Sequence, residues 1–513
     1  MPEILLIILI NIIMIFLTEK LFYTSEVGSD HPLHISLINL IKNNKHRFCL
    51  KSPFQLNEQN FAYPQLFHWI LSFFPESLYK ANYKFINRIV KIIDILLLNL
   101  FLYYISNFFV LSNTNILIIN CLYYLTPLSY ATWNAKNSGL SPRGLGLVVG
   151  QLYNYLLIIF LFTNNLIILI PIALVILLSI LLSQFTMQYI ILSSLVISLL
   201  FHTYFLLITI PLVFLGYFLL FRKSSVNFLI GQYHHKRNYF LYLAEIYILP
   251  SRPSIYRDFI KDFWLKLKDN KLRACIYLYQ NPIIEVLTGI PYLIILGYFW
   301  INNDFSIYEG ILNKLILTGI IVFIMTSFRK TRFLGEPQRY LEYCLPFAVI
   351  LIVVKLTYPV LLLIVFVSII IIECNLFLYK SNRAKYSSID NKQNLLDYLK
   401  EKDLSNIQTA SSNDNDILKY LLLYNLSLIR PELTCYYPNK QAFTDNFYGN
   451  YSVIEPSVLN GYLQTYQVDI LIINTNMYSS EIIKQKMTQL SNYRVIKEFG
   501  NFILFERNKL NTD

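Results

Sequence analysis

The sequence predicts an all-α polytopic membrane protein, with about ten or eleven transmembrane helices followed by a small C-terminal α/β soluble domain. Of the 513 residues, 55% are hydrophobic and only 14% are charged, whereas charged residues make up about a quarter of a soluble protein. The mean hydropathy is +0.47, and the long apolar runs stop after Tyr379. These observations exclude a soluble globular enzyme, a disordered chain, a collagen and a secreted disulfide scaffold.

A transmembrane helix needs about 20 mostly apolar residues. The first such run, 3–17, lacks a basic leader and a small-residue cleavage site, so it predicts an uncleaved helix rather than a signal peptide. The stretch 186–221 is too long for one straight span. It predicts two short helices broken near His202, or one tilted helix with an interfacial piece, and we favour two. The other predicted spans are 85–111, 113–133, 144–163, 166–183, 282–301, 310–328, 341–356 and 358–379.

The composition changes after residue 380, which divides the chain into a transmembrane module, 1–380, and a soluble domain, 381–513. A hairpin of strands 494–499 and 502–507 is predicted in this domain, because Gly500-Asn501 between them is a typical turn. The chain contains no GxxxxGK[ST] motif, which argues against an ATP-driven pump. The other predicted elements of the domain are helices 390–402, 414–426, 455–466 and 479–491 and strand 468–474.

The net charge of +12 belongs almost entirely to the hydrophobic part of the chain. Residues 1–379 contain 28 basic and 17 acidic residues, a difference of +11, and residues 380–513 contain 15 and 14, a difference of +1. No basic tract with interleaved aromatic residues occurs in the soluble part, so nucleic acid is not an expected partner. Membrane lipid headgroups, or an anionic lipid-linked substrate, fit this distribution. The six cysteines form no CxxC pair and no metal-ligand spacing.

The large loop after the first span, 18–84, contains the first candidate site. Asp30 is followed by His31 and His34, and Glu26 lies four residues before it. Placed there, Asp30 suits a general base that takes a proton from a hydroxyl. With Glu26 or His31 it also suits a divalent cation. The alternative is that Asp30 only caps the helix that begins at the next residue.

Two runs in this loop, 33–41 and 63–74, have apolar residues at helical spacing and predict helices lying in the membrane interface. The second begins at Tyr63-Pro64 and contains His68 and Trp69. Aromatic rings there suit either stacking on a sugar or anchoring at the interface, and anchoring is their more common use.

The segment Gly335 to Leu341, with the sequence GEPQRYL, is the second candidate site. Arg339 is its best phosphate ligand, because a guanidinium binds phosphate in a bidentate manner, and Glu336 and Tyr340 lie close by. A positive-inside stop signal accounts for the other cations of the segment but not for the Glu-Pro-x-Arg-Tyr core. Those other cations are Arg329, Lys330 and Arg332.

Two further charges lie at or within the predicted spans. Arg143 belongs to a tight turn, Ser141 to Gly146, and either contacts a substrate phosphate or only lies where the chain breaks between helices. The sequence favours neither of these two roles. Asp94 lies in the second span beside Lys91, and a local ion pair is the expected arrangement.

The layout resembles the GT-C superfamily of membrane glycosyltransferases, and in particular bacterial members of its dolichyl-phosphate-mannose mannosyltransferase-like branch. One apolar helix, a large loop with an early acidic residue, many further spans and a C-terminal α/β domain are similar to that family over about residues 1–380. The motifs that carry the resemblance are Gly28-Ser29-Asp30-x-x-x-His34, Tyr63-Pro64-x-x-x-His68, Pro142-Arg143-Gly144-Leu145-Gly146 and Glu336-x-x-Arg339-Tyr340-Leu341.

The resemblance implies sugar transfer from a polyprenyl-phosphate donor to an extracytoplasmic acceptor at a bacterial inner membrane. It implies that Asp30 is catalytic and that the Glu336–Arg339 loop lies on the same side of the membrane. Asp30 is a lone aspartate rather than the Asp-x-Asp of many relatives, which leaves a divalent metal possible but unassigned. The substrate-binding residues expected on this basis are His34, Tyr63, His68, Arg143, Glu336, Arg339 and Tyr340.

Three other functions remain open from the residues alone. A transporter or flippase of lipid-linked saccharides would be expected to show internal repeats and charges along a path through the membrane. A polymerase or ligase acting on such saccharides would be expected to carry its long loop late in the chain, whereas here it comes first. A membrane-anchored binding protein would leave the charged first loop without a role.

Overall fold

Helices dominate the described chain up to Ala384, and a five-stranded sheet follows. Apolar side chains from most of these helices form one large buried core. The computed structural model describes residues 7–19 apart from 8, 14 and 18; 30–51; 60–130; 139–238; 240–241; 258–302 apart from 280; 305–331 apart from 329–330; 334–384; 388–402; 409–412; 414; 417; 420–421; 423; 427–428; 435–436; 467–475; and 493–508.

Within the described residues, five helices are long and apolar enough to cross a membrane. Two pairs of shorter helices, bent by 93° and 56°, raise the number to seven if each pair is one span. Two more apolar helices, Leu166–Leu182 and Phe205–Phe221, are shorter. These helices indicate a multi-pass membrane protein. The prediction of a mostly helical, polytopic protein is therefore confirmed. By length and composition, five to seven described helices qualify as spans, which is fewer than the ten or eleven predicted.

The described part of the first apolar run, between residues 7 and 19, is helical. The helices after it are α1 (His31–Asn43), α2 (Leu66–Ser72), α3 (Glu76–Lys80), α4 (Tyr83–Phe109), α5 (Asn113–Leu125), α6 (Pro142–Thr163), α7 (Leu169–Leu182), α8 (Gln184–Phe201), α9 (Phe205–Phe221), α10 (Lys223–Asn238), α11 (Asp258–Asp269), α12 (Lys271–Tyr279), α13 (Pro282–Gly289), α14 (Leu293–Asn302), α15 (Ile307–Ser327), α16 (Leu345–Lys355), α17 (Tyr358–Ala384) and α18 (Ser388–Glu401). Short 3₁₀ segments occur at Pro127–Tyr130, Leu166–Ile168 and Pro337–Tyr343.

Local chemistry sets the helix boundaries that matter for the site. The Ser141 hydroxyl accepts a hydrogen bond from the Arg143 backbone N–H at 3.2 Å, and Pro142 occupies the first turn, so α6 begins here. Helix α8 ends at Phe201, because His202 takes a left-handed φ of 54°. The stretch 186–221 is thus two helices, as favoured from its length.

Gly146 and Gly150 allow α6 to approach its neighbours closely. A Cβ atom on Gly146 would collide with Thr186 and Ser183, and one on Gly150 would collide with the ring of Tyr343. Small residues four positions apart are a common means of bringing helices together in membranes. In this protein they hold α8 and the 3₁₀ segment Pro337–Tyr343 against α6.

The sheet has the strand order β3-β2-β5-β7-β6. Strand β2 runs parallel to β3 and β5, whereas β7 is antiparallel to both β5 and β6. The predicted hairpin is confirmed, and it turns at Gly500, whose φ is 57°. The predicted helices 455–466 and 479–491 lie outside the described residues. The strands are β1 (Asn60–Phe61), β2 (Thr409–Ser412), β3 (Ser427–Leu428), β4 (Cys435–Tyr436), β5 (Ile470–Asn474), β6 (Tyr493–Phe499) and β7 (Phe502–Arg507).

Helix α1 lies between the sheet and the helical bundle. Leu33 and Leu37 share a buried core with residues of α18, β5 and β7. Ile35 and Ile38, on the other face of the helix, share a second core with residues of α2 and α4. The prediction that 33–41 lies in the membrane interface is therefore wrong. Its apolar periodicity reflects burial in protein on two faces, which a single sequence does not distinguish from burial in lipid.

The first loop and the C-terminal part are also joined through the backbone. Strand β1 pairs antiparallel with β4, so that Asn60 lies opposite Tyr436 and Phe61 lies opposite Cys435. Helix α10 contacts both strands of this ribbon. The loop, α10 and the C-terminal part consequently lie at one end of the bundle.

Candidate active site

Asp30 lies at the start of α1, but its side chain makes no capping hydrogen bond. Instead, Asp30 Oδ2 accepts a hydrogen bond from Arg143 Nη2 at 3.1 Å. The two residues are 113 positions apart, and both side chains are partly exposed. Asp30 thus has the position of a cap, while its carboxylate is directed towards a cation. Contact of Arg143 with a substrate phosphate stays a prediction.

A second contact fixes the start of α1 against the turn before α6. His31 Nδ1 accepts a hydrogen bond from the backbone N–H of Leu140 at 3.1 Å. The same ring packs edge-on against Tyr83, with 4.6 Å between the centroids. Burial lowers the pKa of His31 to about 4, so the ring is neutral at pH 7 and Nδ1 can accept. This contact holds Asp30 and Arg143 at a fixed spacing.

Arg143 and Arg339 line one small cleft. Arg339 comes from the 3₁₀ segment Pro337–Tyr343, is largely buried, and pairs with Glu336 three residues earlier. The segments around residues 30, 143 and 339, which the sequence suggested separately, therefore meet at one place. The other residues that line the cleft are Leu147, Ser183, Phe185, Glu342 and Tyr343.

Tyr340 lies behind the wall of this cleft. Its hydroxyl donates to the carbonyl of Leu334 at 2.9 Å, and its ring stacks on Phe185 with 4.6 Å between the centroids. The aromatic residue that lines the cleft from this segment is Tyr343, whose ring stacks on Tyr189 at 3.9 Å. A substrate contact by Tyr340 stays a prediction, and its visible role is to support Phe185.

His34, His68 and Tyr63 form a cluster beside the Asp30–Arg143 pair. His34 Nδ1 and His68 Nε2 lie 2.9 Å apart, and Tyr63 packs near both rings, with centroid distances of 6.1 and 5.7 Å. Burial, and then the neighbouring His34, holds the pKa of His68 well below its usual range. Burial also raises the pKa of Tyr63, whose hydroxyl senses the charges of Arg143 and Asp30. The cluster borders the charged pair, and its His68 ring is neutral at pH 7.

A second small cleft begins at Tyr63 and continues between the first loop and the bundle. Its wall combines aromatic, aliphatic and polar side chains, some of them from α7, α9 and α10. Apart from Tyr63, the lining residues are Phe48, Pro64, Gln65, Ile180, Leu181, Tyr217, Ser224 and Phe228. Tyr63 thus lines this second cleft, and its hydroxyl senses the charges of Arg143 and Asp30.

Sequence reasoning missed Glu342, which follows the Arg339 motif by three positions. Its residue surface is 3% exposed, yet it lines the cleft. Its backbone carbonyl accepts a hydrogen bond from Gln151 Nε2 at 3.4 Å, and Gln151 also donates to the Tyr123 hydroxyl at 2.8 Å. Tyr123 in turn donates to Asp94 at 3.0 Å. A carboxylate next to an apolar run is costly to place in a membrane and is therefore a candidate functional residue. This feature of the sequence could have identified Glu342.

The remaining predicted charges lie elsewhere or outside the described residues. Lys91, expected beside Asp94, donates to Glu19 at 2.9 Å, a partner 72 positions away. No group of three or more His, Cys, Asp or Glu side chains in the described part of the chain is arranged to hold a metal ion. The metal site suggested for Asp30, Glu26 and His31 stays a prediction, because Glu26 is not among those residues. Arg329, Lys330 and Arg332 are not among them either.

The chain matches no model of a known protein family and no curated protein. The chemistry of the cleft is accordingly the main basis for assigning a function. That chemistry comprises two guanidinium groups, the Glu342 carboxylate and two aromatic rings in the wall, with the Asp30 carboxylate bonded to Arg143.

Proposed function

We propose that the protein is an integral-membrane glycosyltransferase that moves a sugar from a polyprenyl-phosphate donor to an extracytoplasmic acceptor at a bacterial inner membrane. The observation that carries this proposal is the cleft where Arg143 and Arg339 meet, with Asp30 bonded to Arg143. Paired guanidinium groups suit a phosphate. An adjacent carboxylate suits the base that such a transfer needs.

In the proposed reaction, an acceptor hydroxyl attacks the anomeric carbon of the donor sugar. The bond between that carbon and the phosphate oxygen breaks, and the polyprenyl phosphate leaves with the bonding electrons, which inverts the configuration. Asp30 takes the hydroxyl proton and later releases it to water. Arg143 and Arg339 stabilise the negative charge that develops on the leaving phosphate.

The ion pair between Asp30 and Arg143 makes activation of the acceptor follow binding of the donor. A cation next to a carboxylate favours the ionised form and weakens it as a base. A donor phosphate in the cleft competes for Arg143, so Asp30 becomes a better proton acceptor once the donor is bound. The acceptor hydroxyl is then activated only when there is a sugar to receive.

Aliphatic and aromatic side chains of the second cleft, among them Leu181 and Phe228, suit the first isoprene units of the donor. The two clefts adjoin at the end of α7, where Leu181 lines the second cleft and Ser183 the first. Burying isoprenoid surface there contributes affinity that does not depend on the sugar. The His34–His68 pair lies close by and suits hydrogen bonds to sugar or acceptor hydroxyls.

Eleven membrane crossings account for the placement of the site. We assign one crossing each to the first helix, α4 to α9, the α13–α14 pair, α15, the 3₁₀ segment with α16, and α17. Alternation then puts Asp30, Arg143, Ser183, Lys223 and Arg339 on one side of the membrane. The C-terminal sheet falls on the same side, which agrees with its contacts to α1.

Binding of the leaving group separates phosphate recognition from recognition of the lipid tail. We expect the purified protein to bind undecaprenyl phosphate more tightly than undecaprenol. Arg339→Gln should reduce the affinity for the phosphate by about 10- to 100-fold, since hydrogen bonds to charged groups contribute about 1.5–3 kcal/mol. Native mass spectrometry measures both lipids, with Lys400→Gln in the exposed face of α18 as the control. Equal affinity for the phosphate and the alcohol would refute the proposal.

A further inference from the structure

Helix α11, Asp258–Asp269, has the features of a helix that lies in the membrane interface, which the sequence predicted instead for the first loop. This helix has twelve residues with the sequence DFIKDFWLKLKD, six of them apolar and six charged. At that length and charge it does not span a membrane. In the described chain it packs as a hairpin against α12.

The outer face of α11 is uncovered and contains an apolar strip. Ile260 and Trp264 are 65% and 55% exposed. Ile260 and Trp264 are one turn apart, so their side chains form a continuous strip. Phe263 is only partly exposed, and Lys266 lies over the ring of Tyr277 on α12, so the opposite flank is the one that the hairpin covers.

The charges of α11 are arranged as in helices that lie on anionic membranes. At 100° per residue, Lys261 and Lys268 fall beside the Ile260–Trp264 strip, and the three aspartates fall at the centre of the polar face. Both lysines are exposed. Lysines at the edge of an apolar face reach phosphate groups while the apolar residues enter the acyl boundary. The surrounding segment, 222–280, contains 11 basic and 4 acidic residues, which complements a negative surface.

The hairpin is attached to the end of the bundle that carries the cleft. Helix α12 leads into α13, where Glu285 accepts a hydrogen bond from Gln338 at 2.9 Å. Gln338 is the neighbour of Arg339 in the same 3₁₀ segment. The exposed face of α11 is thus at the same bundle end as the two arginines. When the bundle is embedded in a membrane, the lipid headgroups lie at this end.

We propose that the outer face of α11, formed by Ile260, Trp264, Lys261 and Lys268, binds the anionic headgroup surface of the bilayer. This binding is independent of the proposed sugar transfer. The two apolar side chains of the strip enter the headgroup–acyl boundary, and the two lysines contact lipid phosphates. The hairpin then positions the 3₁₀ segment relative to the plane of the membrane.

The test uses the full-length chain in phosphatidylcholine nanodiscs with and without phosphatidylglycerol. Trp264→Cys and Asp269→Cys, each made in a cysteine-to-serine background, are labelled with an environment-sensitive fluorophore. We expect the label at 264 to be quenched several-fold more by lipid-attached nitroxide than by iodide, and the label at 269 to show the reverse. Lys261→Gln with Lys268→Gln should remove the effect of phosphatidylglycerol on the label at 264.

Hydrogen–deuterium exchange of the unmodified chain provides a second measurement that needs no cysteine background. We expect residues 258–269 to exchange several-fold more slowly when phosphatidylglycerol is present. The proposal would be overturned if iodide quenched the labels at 264 and 269 equally and if the exchange rate of residues 258–269 were the same with and without phosphatidylglycerol. Shielding of 264 that requires a second protein, or that persists in detergent without lipid, would overturn it as well.

Discussion

At the scale of single residues, the site depends on two ion pairs. Asp30 pairs with Arg143 at 3.1 Å in a partly exposed position, and Arg339 pairs with Glu336 within a largely buried segment. Removing one partner of the buried pair leaves the other charge uncompensated, which is more harmful than the pair is beneficial. Substitutions at these positions are therefore best made with matched shape and compared with exposed residues of the same type.

Glu342 gives the most specific prediction for substrate recognition. Its carboxylate lies beside two arginines in the cleft and suits hydrogen bonds to acceptor or sugar hydroxyls. We expect Glu342→Gln to raise the KM for the acceptor by about tenfold or more, as losing charge-assisted bonds costs about 1.5–3 kcal/mol. Binding of undecaprenyl phosphate should not weaken, because the cleft becomes more positive. Glu498→Gln, in the exposed part of β6, is the control, and an unchanged KM in Glu342→Gln would exclude this role.

His31 should make the fold sensitive to acid. Its pKa is lowered to about 4 by burial, against about 6.5 in an unfolded chain. Below pH 6.5 the unfolded state binds more protons than the folded state, so stability falls as the pH drops from 6.5 towards 4. His31→Asn keeps an acceptor for the Leu140 N–H but does not titrate there. We expect a smaller loss of thermal stability between pH 7 and 4.5 than in the wild type.

Thermal unfolding in detergent, followed at both pH values, measures this difference. His202→Asn is the control, because His202 is exposed at a helix end far along the chain and Asn also tolerates a positive φ. The same acid sensitivity in wild type and His31→Asn would show that the His31–Leu140 contact does not carry the effect.

At the scale of elements, α6 is the helix to which the cleft is fitted. It begins with the capped Ser141-Pro142 turn that presents Arg143, and its glycines admit α8 and the 3₁₀ segment. Tyr343 stacks on Tyr189 and lies against Gly150, so the position of the segment that carries Arg339 depends on a space without a side chain.

Gly150→Ala should therefore displace Tyr343 and, with it, the 3₁₀ segment. We expect overpacking to cost about 1–3 kcal/mol of stability and to weaken binding of undecaprenyl phosphate through Arg339. Gly216→Ala in α9 is the matched control, since nothing lies within 4 Å of a Cβ atom built there. Thermal unfolding and lipid binding, measured on both variants, decide the matter. Equal behaviour of the two alanine variants would mean that α6 does not position the segment.

At the scale of the whole molecule, the C-terminal sheet acts on the site through α1. Leu33 and Leu37 belong to the core of the sheet, and they lie one and two turns from Asp30 on the same helix. The β1–β4 ribbon makes a second connection between the first loop and the C-terminal part. The C-terminal part is thus placed to hold the helix that carries the proposed base.

A single substitution tests this connection. Phe61 lies opposite the native Cys435 in the antiparallel ribbon, and Cα atoms of such pairs are about 4.5–5.5 Å apart, within the range of a disulfide. We expect Phe61→Cys to form a disulfide with Cys435 under mild oxidation, and Asn60→Cys not to do so, because neighbouring strand residues face opposite sides. Mass spectrometry of non-reduced peptides detects the bond. No cross-link in Phe61→Cys, or equal cross-linking in both variants, would contradict the register.

The sequence predicted local features of this molecule better than contacts between distant parts. The break at His202, the start of α6 and the hairpin at Gly500 follow from rules that span a few residues. The strand at Thr409–Ser412 was missed because Thr-Ala-Ser-Ser has no apolar alternation and is strand only through its pairing with β5. The prediction that α1 lies in the membrane interface was wrong, because its apolar faces fit lipid and protein equally well.

The same holds for the candidate site: individual residues could be predicted from the sequence, but contacts between distant residues could not. Asp30, Arg143 and Arg339 were each chosen from local chemistry, but only folding shows that they meet, since 113 positions separate the first two. Glu342 was missed because it follows the predicted motif directly and precedes an apolar run. Tyr340 was chosen as a ligand, yet its ring supports Phe185, since burial of an aromatic residue is not visible in its neighbours.

The central claim is that Asp30 is the base of a lipid-linked sugar transfer, and turnover tests it most directly. Membranes containing equal amounts of each variant are supplied with a radiolabelled polyprenyl-phosphate sugar, and transfer of the label is followed together with release of polyprenyl phosphate. We predict that Asp30→Asn lowers turnover by about 10²- to 10⁴-fold, while donor binding and membrane yield are retained. Asp397→Asn, in the exposed face of α18, should be unaffected. Near-normal turnover by Asp30→Asn would contradict the assignment.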